Sequence, residues 1–496
     1  VAGGQVRGGL MAGGGAAFKG VPFAAPPVGD LRWRDPAPPQ PWTGVKETTA
    51  YGPPCAQNPY FIADAATTSR EDCLYLNVWN AEWPATTSKP VMVWVPGGGN
   101  FAGAASQSGY DGESLARRGV VLVTMNYRVG MFGFFSHPAI SAESARTSSG
   151  NQGLLDQITA LTWVRDHIAR FGGDASNVTL FGESAGALDV SALMTSPLAK
   201  GLFHKAIAQS GAVVLVGPPQ TLAQAEARGR TSAAKWGLPA TATAADLREV
   251  SAAAILKSED VERDMPPNLG LTIDGHVFPQ PPASIFAAGS QHAVPLIGGS
   301  NSADTIPGAP LPADMRADMR NLYGPLAAKA LPLYTGQDAV IQWSVDTTFR
   351  CTGILQLGWH TAAGHPGYQF QFSRVTPGRN SPGAIHASEL NYVFGTLRAD
   401  AAIPPGNVQF PGAMPPGEIK FDDVDVRVSD VMQRYWTNFA KTGDPNGDGL
   451  PQWPQFDSTR RAYIEFTDSG PVAGEGLRRA HCDLFAENVN RLSAPR

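Results

Sequence analysis

Gly182-Glu183-Ser184-Ala185-Gly186 follows directly on Asn177-Val178-Thr179-Leu180-Phe181, and this juncture constrains the chain more than any other feature. The residues before it form a short β-branched and apolar run that reads as a buried strand. The residues after it are rich in Ala and Leu and read as a helix. Strand, tight turn and helix in that order lift a serine Oγ above the end of a sheet instead of laying it along a helix face. The two glycines permit the sharp reversal and the close passage of neighbouring backbone. Ser184 is therefore the first candidate nucleophile.

Other segments fit the same kind of architecture. Leu74–Trp79 alternates as a strand does, and Val91–Val95 and Val120–Thr124 are continuous apolar runs, as expected of strands buried on both faces. Residues 152–170 read as a helix, with Leu155, Ile158, Leu161, Val164 and Ile168 at three- and four-residue spacing. Lys205–Gln209 and Val294–Ile297 read as further strands, and Val428, Val431, Met432, Tyr435, Trp436 and Phe439 mark a late helix. Strands alternating with helices predict an α/β chain with a large, mostly parallel sheet covered on both faces. No internal repeat or linker divides it, so a single domain over 1–496 is expected, with an N-terminal strand region over about 1–50. The helical stretch at 312–335 predicts a cap segment at about 305–345.

Composition excludes several classes. The chain has 496 residues, 43% of them hydrophobic, which is ample for a large core. Its net charge is −5 and no basic tract or stripe is present, which argues against nucleic acid as a partner. No apolar run approaches the roughly 18 residues of a membrane span. The chain opens at Val1 without a charged n-region or an apolar h-region, so an export signal is expected to have been removed or never present. Four cysteines, Cys55, Cys73, Cys351 and Cys482, include no C-x-x-C pair, which leaves zinc and thioredoxin-type readings without support. Counting alone leaves two disulfides and four buried thiols equally open. Asp444-Pro445-Asn446-Gly447-Asp448-Gly449 mimics the start of a calcium loop, but Gln455 stands where the bidentate Glu belongs, so a plain turn is expected. Asn177-Val178-Thr179 is a sequon placed on a strand, expected to be buried and accidental. No metal and no organic cofactor is expected.

Ordered motifs along nearly the whole chain resemble those of the type-B carboxylesterases, the group that includes cholinesterases and fungal lipases. Phe18-Lys19-Gly20-Val21-Pro22-Phe23-Ala24-Ala25-Pro26-Pro27-Val28-Gly29 is similar to the family's N-terminal segment, and Glu71-Asp72-Cys73-Leu74-Tyr75-Leu76-Asn77-Val78 to its second signature. Asn126-Tyr127-Arg128, Asn151–Gln157 and Phe171–Gly186 complete the series. The resemblance implies an α/β-hydrolase fold and a serine esterase.

A serine hydroxyl needs a base to take its proton. His386, in Gly383–Gly395, resembles the family's histidine loop, and its late position suits the order Ser, acid, His. The acid orients the imidazole and stabilises its charged form. By resemblance it is Asp304, where the family more often has glutamate; being one methylene shorter, Asp304 requires its loop to approach His386 more closely. Glu389 is the weaker rival. The resemblance makes Gly98, Gly99 and the amide of Ala185 the oxyanion donors. Glu183 is implied to be a buried structural carboxylate and Ser210 a supporting hydrogen-bond donor. Pro96 and Asn100 depart from the family, which usually has His or Tyr and an aromatic there. Asn100 is expected to turn a polar group towards the pocket. The resemblance also pairs Cys55 with Cys73 and Cys351 with Cys482, and with them implies a secreted or periplasmic protein.

The expected activity is hydrolysis of carboxylic esters through an acyl-enzyme, by a monomer or weak homodimer. Short-chain or aryl esters are the default substrates. Bacterial fumonisin esterases, exported members of the family that cut tricarballylate groups from a mycotoxin, make a polar or polycarboxylate ester the sharper expectation. It implies Arg or Lys side chains in the pocket. The rival class is a non-catalytic cholinesterase-like binding module, which typically loses a triad member; this chain keeps all three.

Overall fold

The computed structural model describes residues 1–60, 62, 64–214, 219–259, 270–306, 310–379, 381–401 and 419–493. Eleven strands form one sheet: β1 (Gly9–Leu10), β2 (Ala16–Pro22), β3 (Tyr75–Asn80), β4 (Lys89–Val95), β5 (Val121–Met125), β6 (Gly173–Glu183), β7 (Lys205–Gln209), β8 (Leu296–Asn301), β9 (Gly367–Phe372), β10 (Ala462–Thr467) and β11 (Gly470–Glu475). Their order across the sheet is β11-β10-β9-β8-β7-β6-β4-β5-β3-β2-β1. The run from β10 to β5 is parallel, and the pairings outside it at both edges are antiparallel. The helices that matter here are α1 (Gln152–His167), α2 (Ala185–Leu193), α3 (Leu222–Lys235), α4 (Met315–Tyr323), α5 (Cys351–Ala362), α6 (Asp423–Thr442) and α7 (Arg479–Ser493).

Period-two alternation splits the core between the two faces. Val91, Val93, Val95, Val121, Val123, Val178 and Leu180 pack on one side with residues of α1 and α2. Met92, Trp94, Leu122, Phe181 and Ile207 pack on the other against Met432, Tyr435, Trp436 and Phe439 of α6. Both faces are dry, which is why the central strands read as unbroken apolar runs. α6 begins with a reciprocal Asp422–Asp425 capping box and stops at Gly443, whose φ is 84°.

The parallel strands finish together at one edge. Val95 pairs with Gly182, Glu183 with Gln209, and Gln209 with Gly299. The loops leaving this carboxyl edge therefore converge, the usual location of a site in such sheets. Of the segment at 305–345, residues 307–309 lie outside the described residues. The helices beyond them are joined by Trp343 Nε1 donating to Asp318 (2.6 Å) and meet the C-terminal helix where Lys329 pairs with Glu487 (2.7 Å) and Asn488 donates to Leu322 O (3.2 Å). Asn177 is on its strand but half-buried rather than buried, because it lies near the strand's exposed start; its amide bonds Lys205 and the Lys441 carbonyl.

All four cysteines are oxidised, as Cys55–Cys73 and Cys351–Cys482, each with Cα atoms 4.9 Å apart. The second bridge spans 131 residues and fastens α7 to the start of α5. In the chain-entropy model closing such a loop is worth about 5 kcal/mol. Replacing Cys351 and Cys482 together by serine is expected to lower the denaturation midpoint markedly. An unchanged midpoint would mean that this loop does not constrain the unfolded chain.

Candidate active site

Ser184 sits at the juncture of β6 and α2 with φ 58° and ψ −126°, a conformation that costs about 1–3 kcal/mol for a residue with a Cβ. The surroundings hold it there. Its amide donates to Gln209 O (2.9 Å) and its carbonyl accepts from Leu188 N (3.0 Å). Glycine is required at 186 because a Cβ there would lie 2.2 Å from Val95 O.

His386 joins two distant segments. Its Nε2 lies 2.8 Å from Ser184 Oγ and its Nδ1 lies 2.7 Å from Asp304 Oδ1. The other Asp304 oxygen accepts from Ser210 Oγ (2.7 Å) and Asn301 N (2.8 Å). The two loops are stitched by backbone: Ala303 N donates to Ala384 O (2.9 Å) and His386 N to Thr305 O (3.2 Å). This contact brings a short aspartate within reach of the ring. Phe349 stacks on the imidazole at 4.5 Å with the planes 16° apart. Glu389 does not reach the ring. Its carboxylate accepts from Gln209 Nε2 (2.9 Å) and Asn301 Nδ2 (2.7 Å), and Trp436 Nε1 holds the far side of Gln209 (3.0 Å).

Glu183 is buried, with Oε1 3.1 Å from His386 Nε2. Burial pushes its carboxyl up to about 8, opposed by the charge of His386. For His386, burial alone would lower the pKa, but the carboxylates of Glu183 and then Asp304 outweigh it and raise it to about 9. A base must be neutral to accept a proton, so a raised value places the acid limb of the rate profile at higher pH. Glu183→Gln removes the carboxylate that raises the ring most and is expected to move that limb of kcat/KM down by about one pH unit. An unmoved limb would mean that Glu183 keeps its proton throughout.

Beside Ser184 runs the loop after β4. Gly98 has φ 122°, and a Cβ on it would lie 2.2 Å from Ala102 O. Gly98 O accepts from Ala102 N (3.0 Å), which folds the loop back. The amides of Gly98, Gly99 and Ala185 donate to no partner among the described residues. The expectation that Asn100 projects towards the pocket is corrected. Its φ of 61° turns the side chain inward, where Nδ2 donates to Asp189 (3.0 Å) and Oδ1 accepts from Tyr127 Oη (2.9 Å). A side chain only 3% exposed is driven to such partners because its amide has lost water.

Sequence reasoning missed Gln209, Asn301, Asp189 and Phe349. The first two had a signal, since each is a polar residue ending an apolar strand at the edge where Glu183 also ends one. Phe349 had none: it lies 37 positions (386 − 349) from the ring it covers.

A mostly parallel sheet of this order, with a serine on a strand-to-helix turn, is an α/β-hydrolase fold, and the likenesses that follow make the chain a carboxylic ester hydrolase. The chain belongs to the carboxylesterase family, whose model matches residues 1–320 and 309–485. It is 36% identical to the fumonisin B1 esterase of Sphingopyxis macrogoltabida over 93% of this chain and 84% of that protein. It is 34% identical to liver carboxylesterase 1F of Rattus norvegicus, covering 91% and 85% respectively. A solved PNB esterase superposes with a TM-score of 0.83 at 32% identity, covering 96% of this chain and 97% of the other. No helix among the described residues is long and apolar enough to cross a membrane.

Proposed function

We propose that Ser184 is the nucleophile, His386 the general base and acid, and Asp304 the residue that orients and charge-stabilises the imidazole. The observation that carries this reading is the unbroken series from Ser184 Oγ through His386 to Asp304, at 2.8 and 2.7 Å. His386 Nε2 takes the hydroxyl proton as Oγ attacks the ester carbonyl. The oxyanion of the tetrahedral intermediate accepts from the amides of Gly98, Gly99 and Ala185, which are unpaired within the described residues. His386 then gives its proton to the departing alcohol, leaving an acyl-serine. A water molecule deprotonated by the same nitrogen attacks the acyl carbon. Collapse of the second intermediate returns the proton to Ser184 and releases the acid. Ser210 supports the sequence by holding Asp304 Oδ2.

The test is covalent. Ser184 Oγ should attack the phosphorus of a fluorophosphonate, its proton passing to His386 and fluoride leaving to solvent, so that a phosphonyl group stays on the peptide containing residues 182–186. A label elsewhere, or none in an active preparation, would overturn the assignment.

For the substrate we propose a polar, polycarboxylate ester. The support is the likeness to a fumonisin B1 esterase at 36% identity. Asn100 no longer contributes to this argument, since its amide faces Asp189 and Tyr127. Short-chain and aryl esters are the second reading, favoured by the likeness to PNB esterases. Comparing kcat/KM for tricarballylate monoesters with p-nitrophenyl acetate and butyrate decides between them; preference for the simple esters would sink the first. We further propose export to an oxidising compartment, on the strength of the two disulfides.

A further inference from the structure

The oxyanion donors proposed above come from two separate elements. Gly98 and Gly99 lie on the loop after β4, and Ala185 opens α2. Their mutual spacing depends on what fixes loop to helix. The Asp189 side chain makes such a connection. Asp189, one turn inside α2 and fully buried, accepts at Oδ1 from Asn100 Nδ2, the residue directly after the glycines. Its Oδ2 faces Gln157 of α1 at 2.6 Å. The same Asn100 is held at Oδ1 by Tyr127 and at its carbonyl by Gly130 N (2.7 Å).

The proton inventory at this cluster is informative. A separation of 2.6 Å is short for N–H···O, which spans about 2.7–3.2 Å, and ordinary for O–H···O, at about 2.5–3.0 Å. With Gln157 Nε2 facing Asp189, Gln157 Oε1 is buried without a hydrogen-bond partner among the described residues. Turning that amide by 180° sets Oε1 against Asp189 Oδ2, where a proton on the carboxyl joins them, and leaves Nε2 in the partnerless position instead. No cation bonds Asp189 among the described residues, and an ionised carboxylate enclosed by two neutral amides pays a large desolvation cost. Tyr127 lies within electrostatic reach of it, and Asp156 lies on α1. Asp156 is already paired with Arg128 (2.7 Å).

We propose that Asp189 is a positioning residue of the oxyanion loop: as a neutral carboxylic acid it donates to Gln157 and accepts from Asn100, clamping the loop of Gly98 and Gly99 to the helix of Ala185. The proposal rests on the reading of those three amides as oxyanion donors. Burial, which pushes the Asp189 carboxyl up to about 7, agrees with the neutral form below that pH.

The experiment compares Asp189→Asn with Asp189→Ala in the full chain. Asparagine supplies both halves of the clamp, an N–H for Gln157 Oε1 and an oxygen for Asn100. Asp189→Asn is expected to keep kcat within about threefold. Asp189→Ala is expected to lower kcat by about 10²-fold, the scale of one lost oxyanion donor, with KM little changed. The infrared difference spectrum of wild type minus Asp189→Asn at pH 6 should contain the C=O stretch of a neutral carboxylic acid, a readout that does not depend on how Asp189→Ala folds. The sign for stability follows from a folded-state value above the unfolded one. Wild type loses stability relative to Asp189→Asn as pH rises from about 4 to about 7, so the Tm difference should favour the variant more at pH 8 than at pH 5. An Asp189→Ala enzyme with normal kcat, an Asp189→Asn enzyme as impaired as Asp189→Ala, or absence of the acid band would each overturn the proposal. Ser184→Ala separates the two readings. If it retains turnover, the parent assignment fails; if it is inactive while Asp189→Ala is normal, only the clamp fails.

Discussion

Ser184→Ala is expected to lower kcat on p-nitrophenyl acetate by about 10⁶-fold, the loss seen when the nucleophile of a serine hydrolase is removed. The size follows from how much of the site is built around one oxygen. The backbone at Ser184 is held at φ 58°, α2 starts immediately after it, and the imidazole is already 2.8 Å from Oγ. Without Oγ the acyl-enzyme cannot form, and His386 has only water to activate. Folding should be unaffected. Ser184 is partly exposed, and alanine removes one hydroxyl without leaving a cavity between packed groups. An unaltered far-ultraviolet spectrum and melting temperature, with turnover reduced to background, is the expected pair of results. A variant that kept one-hundredth of wild-type kcat would exclude Ser184 as nucleophile.

Asp304→Asn carries the second-largest effect, a fall in kcat of about 10⁴-fold. The reason can be read from the partners of the carboxylate. Oδ2 accepts from two donors, Ser210 Oγ and Asn301 N, while Oδ1 alone meets His386 Nδ1. An asparagine must keep its oxygen where the two donors point. Its NH₂ then faces Nδ1, which can only accept from it. The ring proton is forced onto Nε2 and aimed at Ser184, so the nitrogen that should accept the serine proton already carries one. Geometry survives and the tautomer is wrong. Ser184 should become nearly inert to fluorophosphonate while the melting temperature changes little. A kcat within tenfold of wild type would show that Asp304 does not set the tautomer.

Three buried acids lie at the carboxyl edge of the sheet. Glu183 and Asp304 flank one imidazole, Glu389 lies beyond them on Gln209 and Asn301, and burial raises the carboxyls of Glu183 and Glu389 above their ordinary range. The paired strand ends Glu183 and Gln209, with Asn301 closing the next strand but one pairing step away, form a polar rim on an apolar sheet. Donors on that rim hold two of the acids in place: Asn301 N meets Asp304, and Gln209 Nε2 and Asn301 Nδ2 meet Glu389.

Much of this was legible in the chain itself, for a reason that lies in the range of the forces. Apolar runs report burial on both faces, helical spacing reports a covered stripe, and glycines beside a serine report a turn too tight for side chains. All are properties of a few adjacent residues, so β4, β5, β6, α1 and α6 could be read without knowing what they touch. Motif resemblance extended that reading to His386, Asp304 and the two disulfides. What the tertiary structure alone decided was direction. Asn100 turns inward because its backbone is left-handed and Asp189 and Tyr127 wait beneath it. Glu389 faces Gln209 and Asn301 rather than the ring three residues before it, and Phe349 covers that ring from another segment altogether. A polar side chain removed from water goes wherever its partners lie, and those partners come from segments up to 180 residues away. No local pattern encodes that meeting; it exists only once the strands have brought their ends to one edge.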